Sequence, residues 1–174
     1  MFDLETLNIG LIGMQEDFKE ASYILDDSYF ESLDDADIRH GNVNAVLSIR
    51  KAATGEFTVS MTIDGSVTVQ CDRCLDDMEQ PVSGSCTYIV KLGQDPSEED
   101  DVIVVDENEG ILQTAWLIYE TIALAVPIKH VHAPGKCNDA MTKKLEELSA
   151  TRSGDETAEE TIDPRWEALK SLKV

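Results

Sequence analysis

A run of alternating apolar and polar residues at 57–71 constrains the fold of this chain more than any other feature of its sequence. Apolar side chains hold every second position from Phe57 to Ile63, and the same parity resumes beyond Gly65 and ends on Cys71. A period of two with one apolar face is typical of a half-buried antiparallel strand. We therefore expect a long strand that points Cys71 into the core, with a bulge or bend at Gly65.

Other segments predict the neighbours of this strand. A second alternating run occupies 43–50, and Gly55 between the two runs favours a hairpin turn. Runs rich in β-branched and aromatic residues at 85–92 and 102–105 indicate two more strands. A helical pattern at 112–126 is apolar on most of its surface, so we expect this helix to lie buried across the sheet.

The fold class predicted from these patterns is α+β. We expect a twisted, mainly antiparallel sheet, either open or barrel-like, that is packed by one long buried helix and followed by small C-terminal helices. Pro127 limits the long helix, because the residue before a proline is pushed out of the helical region. Asn138 is a suitable N-cap for the first small helix, which apolar spacing extends to Leu148.

Composition divides the chain into three parts. Residues 1–150 contain the predicted strands and the long helix, so we assign them to one α+β domain. Residues 151–162 are polar and acidic, which is typical of a flexible linker. Residues 163–174 begin with an Asp-Pro pair, an N-cap followed by proline at the first helical position, and predict a short helix. Trp166 on this helix would dock on the domain or bind a partner.

The net charge of −21 is concentrated in three blocks, 26–37, 94–109 and 145–163, which we expect to be loops and a linker on a nearly neutral body. Such a chain repels phosphate, so direct RNA contact is expected to be weak, and no DNA binding is expected. An acidic body suits a basic partner, such as a ribosomal protein. The candidate partner-binding residues are the lysines of the one basic stretch and the C-terminal tryptophan: Lys129, Lys136, Lys143 and Trp166.

The sequence also predicts the cellular compartment of the protein. The first residues include no basic segment, so no secretory signal is expected. The most apolar stretch, 111–128, is interrupted by Gln113 and Glu120, which is typical of a buried core helix and not of a membrane span. We therefore predict a cytoplasmic protein without membrane contact, whose four cysteines are metal ligands or core residues and not disulfides.

Two cysteine motifs carry the most specific chemistry. Cys71 and Cys74 form a C-x-x-C at a predicted strand end, and His132 and Cys137 form an H-x4-C in a segment with proline and glycine. Two thiolates from one knuckle and a His and a Cys from a second loop complete a tetrahedral Cys3His set for zinc. A closed set leaves no position for water, so the predicted zinc site is structural and not catalytic.

Other interpretations of these residues stay open at this point. Cys71, Cys86 and Cys137 are alternatively ordinary buried thiols, and His132 is then a loop residue. Cys86 and His130 are reserve ligands, which are otherwise a core residue and a solvated histidine. A redox C-x-x-C is less favoured, because an acidic, proline-limited segment follows it instead of a helix that lowers the thiol pKa. No G-x-S-x-G, H-E-x-x-H or P-loop motif is present, so we expect no enzymatic activity.

Three segments together resemble the YceD family, the large ribosomal RNA subunit accumulation proteins. They are GSVTVQCDRCL at 65–75, ETIALAVP at 120–127 followed by His132 and Cys137, and DPRWEALK at 163–170. Cys71, Cys74 and Cys137 match cysteines of the family. Many members have further cysteines after the last of these, whereas Asn138 follows here, which shifts weight to His132 as the fourth ligand.

The resemblance implies a cytosolic, non-enzymatic factor that supports the synthesis, processing or stability of large-subunit rRNA. Its expected partner is a large-subunit ribosomal precursor or a basic ribosomal protein. The alternative is a zinc-stabilised protein–protein adapter without an RNA role, and a thiol redox protein is the third possibility. The rRNA role is implied by the resemblance and does not follow from composition or spacing.

Overall fold

The computed structural model describes residues 2–14, 16–33, 37–99 and 101–149. The chain divides into two compact units, Met1–Asn138 and Asp139–Val174. The predicted linker at 151–162 and the predicted helix at 163–174 lie outside the described residues. The same holds for Trp166.

The first unit is built on an open sheet. Its described elements are a 3-10 turn, eight strands and two helices: Leu4–Leu7, β1 (Ile9–Gly10), β2 (Phe18–Leu25), α1 (Asp27–Ser32), β3 (Gly41–Lys51), β4 (Phe57–Gln70), β5 (Asp77–Gly93), β6 (Ser97–Glu99), β7 (Val102–Asp106), β8 (Ile111–Leu112) and α2 (Ala115–Ala125). Six strands pair in the order β2-β3-β4-β5-β7-β6, and β1 pairs with β8 separately. All neighbours are antiparallel except β5 and β7. The α+β prediction is confirmed, but the sheet is not closed into a barrel.

The long alternating run forms the predicted long strand, β4, which lies between β3 and β5 in this sheet. In β4 the apolar positions from Phe57 to Ile63 are buried and Thr58, Thr62 and Asp64 are exposed. Pairing with β3 and β5 continues through Gly65 without an extra residue on either side, so the expected bulge is absent. The parity carries over to the residue after the strand, and Cys71 is fully buried.

The close approach of β3 explains the glycine at position 65 and predicts the effect of a substitution there. A Cβ on Gly65 would collide with the carbonyl O of Asn42 and lie 2.7 Å from the Cα of Val43, both on β3. Because backbone yields less than a side chain, Gly65→Ala is expected to lower the free energy of unfolding by about 2 kcal/mol. Gly84→Ala is the matched control, since its Cβ meets only ordinary contacts from 3.4 Å. Urea unfolding measures both, and equal stabilities would contradict the prediction.

The helix that covers the sheet is shorter and less buried than predicted. The segment 112–126 was expected to be helical throughout, but α2 starts at Ala115 because Leu112 belongs to β8 and pairs with Ile9 of β1. One side of α2 packs on β4, β5 and the 3-10 turn, while Leu124 is 87% exposed. Among the described helices, none is long and apolar enough to cross a membrane.

The acidic block at 26–37 is not only a loop. It contains α1, which begins at an N-cap where Asp26 accepts a hydrogen bond from the Ser28 backbone N–H at 3.0 Å. The pKa of Asp26 is lowered, chiefly by the hydrogen bond from the Ser28 hydroxyl. Tyr29 and Phe30 of this helix are fully buried, and the Tyr29 hydroxyl donates to the carbonyl O of Ala115 at 2.7 Å. A buried aromatic pair thus anchors a segment whose charge indicated a loop.

The second unit is described from Asp139 to Ser149. It contains α3 (Asp139–Leu148), which confirms the helix predicted after Asn138. The apolar stripe predicted on this helix ends in Leu145 and Leu148, which are 40% and 84% exposed. No residue of α3 is buried within the described part of the chain.

Candidate metal centre

The cysteines of the C-x-x-C motif lie at the tip of the longest hairpin in the described chain. Gln70 at the end of β4 pairs with Asp77 at the start of β5, so residues 71–76 form the connecting loop. Both Cys71 and Cys74 are buried there. Two long paired strands therefore position this half of the site.

Backbone hydrogen bonds make this loop a tight turn. The N–H of Leu75 donates to the carbonyl O of Cys71, and the N–H of Cys71 donates to the carbonyl O of Asp76, each at 2.9 Å. Leu75 has a φ of 63°, in the left-handed region. That conformation costs a residue with a Cβ roughly 1–2 kcal/mol. The loop reverses the chain within six residues, and this reversal keeps the two thiols close together. The left-handed conformation of Leu75 is the conformational cost of the turn.

The other two candidate ligands come from the irregular segment after α2. His132 and Cys137 flank a turn that is closed by a 2.9 Å hydrogen bond from the Lys136 N–H to the carbonyl O of Ala133. Gly135 in this turn has a φ of 77°, which glycine adopts without steric cost. The glycine of the motif thus has a local structural reason.

Hydrogen bonds join the two loops at a seam beside the ligands. Asp72 donates its backbone N–H to the carbonyl O of His130 at 3.0 Å and accepts the His130 N–H on Oδ2 at 2.8 Å. The His130 Nε2 lies 3.5 Å from Asp72 Oδ1. Asn138 Nδ2 donates to Asp76 Oδ2 at 3.1 Å. Four polar residues therefore fix the second loop against the hairpin tip.

These two loops bring all four predicted ligands together. The ligand atoms of Cys71, Cys74, His132 and Cys137 all lie within 4.8 Å of one another. The sulfurs of Cys71 and Cys137 are 4.0 Å apart, and the Cys74 sulfur is 3.3 Å from His132 Nδ1. A tetrahedron with zinc–sulfur bonds of 2.3 Å has sulfur–sulfur edges of about 3.8 Å and sulfur–nitrogen edges of about 3.6 Å. These two separations lie close to such edges, and the four residues could hold a metal ion.

The thiols of the cluster differ in their readiness to ionise. Burial opposes ionisation of Cys71, but the backbone N–H groups of Cys74, His132 and Arg73 outweigh it and lower the pKa of Cys71 to about 6. Burial and the neighbouring sulfurs of Cys71 and Cys74 raise the pKa of Cys137 to about 11. Several thiolates in one buried cluster repel each other, and a divalent cation removes that repulsion.

The reserve ligands lie outside this cluster. The Cys86 sulfur is 3.2 Å from the Thr121 hydroxyl, on the sheet side of α2. His130 is held by Asp72, and its Nδ1 lies 3.0 Å from the carbonyl O of Pro127. The sequence contained no signal for this histidine–aspartate seam, because its two members are 58 residues apart.

The structure describes three of the four candidate partner-binding residues. Lys129 and Lys136 are exposed on the loop that carries His132 and Cys137. Lys143 is exposed on α3, in the second unit. Their role in partner binding stays a prediction.

The contacts between Asp72 and His130 predict a measurable effect of a substitution on the retention of metal. Asp72→Ala removes the carboxylate that holds His130, so we expect the free energy of unfolding to fall by about 1 kcal/mol and metal transfer to a chromogenic chelator to become faster. Asp77→Ala is the matched control, because it removes an exposed carboxylate one residue beyond the loop, for which no side-chain bond is present among the described residues. Equal transfer rates for the two variants would refute a role of the seam.

Comparison with known proteins assigns the chain. The family model described as "Large ribosomal RNA subunit accumulation protein YceD" matches residues 59–173, about two thirds of the sequence. This span contains all four residues of the metal cluster. Searches of curated proteins and of solved structures return no match. On the extent of the family match, the chain belongs to the YceD family.

Proposed function

We propose that this protein is a non-enzymatic ribosome-biogenesis factor that supports the synthesis, processing or stability of large-subunit rRNA. The observation that carries the proposal is the family match over 59–173, whose description names large ribosomal RNA subunit accumulation. The protein works through protein or ribonucleoprotein contacts in the cytoplasm. Its partner is a large-subunit ribosomal precursor or a basic ribosomal protein.

A structural zinc ion held by Cys71, Cys74, His132 and Cys137 is part of this proposal. Three soft thiolates and one imidazole are a donor set that zinc prefers, and four protein ligands fill a tetrahedral shell. His132 would bind through Nδ1, the atom that faces the Cys74 sulfur. The ion would fasten the hairpin tip to the segment after α2, and the free energy of binding would add to the free energy of folding.

The charge of the protein supports contacts with a basic partner in preference to bare RNA. A net charge of −21 repels phosphate at long range and attracts basic polypeptides. A filled tetrahedral shell has no open position for a substrate or an activated water, which supports a non-enzymatic role. Any direct RNA contact would therefore be weak and salt-sensitive.

Depletion of the protein in its native cell tests the proposed function. We expect the ratio of large-subunit to small-subunit rRNA to fall, and the wild-type chain supplied in trans to restore it. The Cys86→Ser variant, which leaves the metal cluster intact, is expected to restore the ratio as well. An unchanged ratio after complete depletion would refute the proposal.

Affinity purification separates the proposal from its alternative, an adapter without an RNA role. With a tagged full-length chain and a high-salt wash, we expect large-subunit rRNA precursors and basic ribosomal proteins to co-purify. A tagged, unrelated protein of similar negative charge controls for non-specific attraction. Recovery of unrelated proteins alone would favour the adapter.

A further inference from the structure

An open cleft in the first unit lies at the edge of the sheet that is formed by β6. It has a volume of about 770 Å³. The 3-10 turn, β6, β7, β8 and the first turn of α2 form its walls. None of the four predicted metal ligands lines it.

The floor of the cleft is apolar and continuous with the core. Ile103, Leu112 and Leu117 line it and are each at least 90% buried. Ile111 and Trp116 also line it, but their side chains are 44% and 43% exposed. Exposed apolar residues that adjoin a buried floor are typical of protein–protein contacts.

Trp116 is suited to anchor a partner. Its ring lies against Tyr119, with ring centroids 5.0 Å apart, and Tyr119 is only 6% exposed. The Tyr119 hydroxyl accepts the backbone N–H of Asp37 at 2.8 Å, which fixes this support. No hydrogen bond to the Trp116 indole occurs within the described chain. A rigidly supported, half-exposed tryptophan is a frequent centre of binding energy in interfaces.

The described side chains around the cleft carry charge of one sign. Glu5, Glu98, Asp106 and Glu109 line it, and no lysine, arginine or histidine is among the described residues that do so. The pKa of Asp106 is lowered by hydrogen bonds from the backbone and side chain of Asn108, so this carboxylate stays charged. Four carboxylates around an apolar floor repel a nucleic acid and attract a cationic chain.

We propose that this cleft binds a basic, amphipathic polypeptide segment, whose apolar side chains occupy the floor beside Trp116 and whose lysines or arginines face the four carboxylates. The inference rests on the proposed function in one respect, because a basic ribosomal protein is the partner that such a segment would belong to. The inference adds the contact surface itself, which is lined neither by the four candidate metal ligands nor by Lys129 and Lys136.

Fluorescence of Trp116 tests this directly. The chain has two tryptophans, so Trp166→Phe leaves Trp116 as the single indole. The probes are a short lysine–leucine amphipathic peptide without tryptophan, its glutamate–leucine counterpart and polyuridylate. We expect the lysine–leucine peptide alone to shift the Trp116 emission to shorter wavelength in a saturable way.

Paired charge reversals then locate the site. The variant Glu98→Lys/Glu109→Lys is expected to weaken binding of the lysine–leucine peptide by about tenfold. The control Glu20→Lys/Asp64→Lys makes the same change in net charge at exposed positions of β2 and β4 that do not line the cleft. It should weaken binding far less. Trp116→Ala, measured by calorimetry after circular dichroism confirms folding, should weaken binding as well.

Three results would overturn the inference. They are the absence of saturable peptide binding, an equal loss of affinity in both charge-reversal pairs, and tighter binding of polyuridylate than of the peptide. These outcomes are independent of the depletion experiment. An unchanged rRNA ratio with specific peptide binding would refute the proposed function alone, and a lowered ratio with no peptide binding would refute the cleft alone.

Discussion

Cys74→Ser is expected to abolish metal binding and to lower the melting temperature by about 10 °C. Serine oxygen is a poor replacement for thiolate on zinc, and the remaining buried thiols would repel each other when ionised. Free metal at a thousand times the dissociation constant stabilises a folded protein by about 4 kcal/mol, which the variant would lose. Metal analysis of the purified protein should give about one zinc per wild-type chain and almost none per variant chain.

Cys86→Ser is the matched control for this substitution. Cys86 is the one cysteine outside the cluster, so the variant should keep its zinc and most of its thermal stability. Thiol titration adds a second measurement: we expect one fast thiol in the wild type and three more after a chelator is added. A low-pKa thiol that reacts equally with and without chelator would favour a redox pair. Equal melting temperatures for Cys74→Ser and Cys86→Ser would exclude a structural metal.

Ile122→Ala is expected to destabilise the protein by about 3 kcal/mol while the metal stays bound. Ile122 is fully buried on the side of α2 that packs against the sheet. Removing three carbons there costs the transfer free energy of the side chain and leaves a cavity. The melting temperature should fall by about 10 °C, and zinc analysis should still give one ion per chain.

Leu124→Ala controls for the loss of a large apolar side chain from the same helix. Leu124 is 87% exposed, so its truncation should leave the free energy of unfolding nearly unchanged. Together the two pairs of variants separate packing from metal coordination. Cys74→Ser is expected to lose both stability and metal, whereas Ile122→Ala is expected to lose stability and keep its metal. If Ile122→Ala also released zinc, the sheet–helix core and the metal cluster would be one energetic unit.

The strands were predictable where burial on one face forces alternation. β4 was predicted to within one residue and β3 to within two residues at its ends. β5 was predicted only over 85–92, although it starts at Asp77. Its first half contains proline and glycine and gives a weak apolar signal, and its strand conformation follows from pairing with β4. The sequence of β5 alone therefore does not predict its first half, because that half depends on pairing with β4.

The missed elements have other physical reasons. β2 is an edge strand, and only its last residue, Leu25, is buried, so its sequence lacks a clear apolar face. In α1 the buried pair Tyr29 and Phe30 is surrounded by acidic residues that indicated a loop. The helix predicted over 112–126 begins only at Ala115, because Leu112 pairs with Ile9 of β1, which lies more than 100 residues away in sequence. The cleft beside Trp116 is likewise assembled from distant segments.

The four candidate metal ligands were predictable because each pair lies on a short turn. C-x-x-C and H-x4-C spacings predict two turns, and zinc chemistry predicts that they meet. The residues that hold the turns together, Asp72 and His130 among them, were not predicted. Their role depends on contacts between loops, and a single aspartate between two cysteines gives no sign of it.

The division of the cluster between a hairpin tip and a later loop also matters while the chain is being synthesised. Translation delivers Cys71 and Cys74 first, and the strands that support them are complete at Gly93. His132 and Cys137 follow only after the remaining strands and α2 have been made. A chain that stops before Cys137 therefore lacks at least one of the four candidate ligands. Binding of the proposed zinc ion by all four ligands would thus require translation at least as far as Cys137.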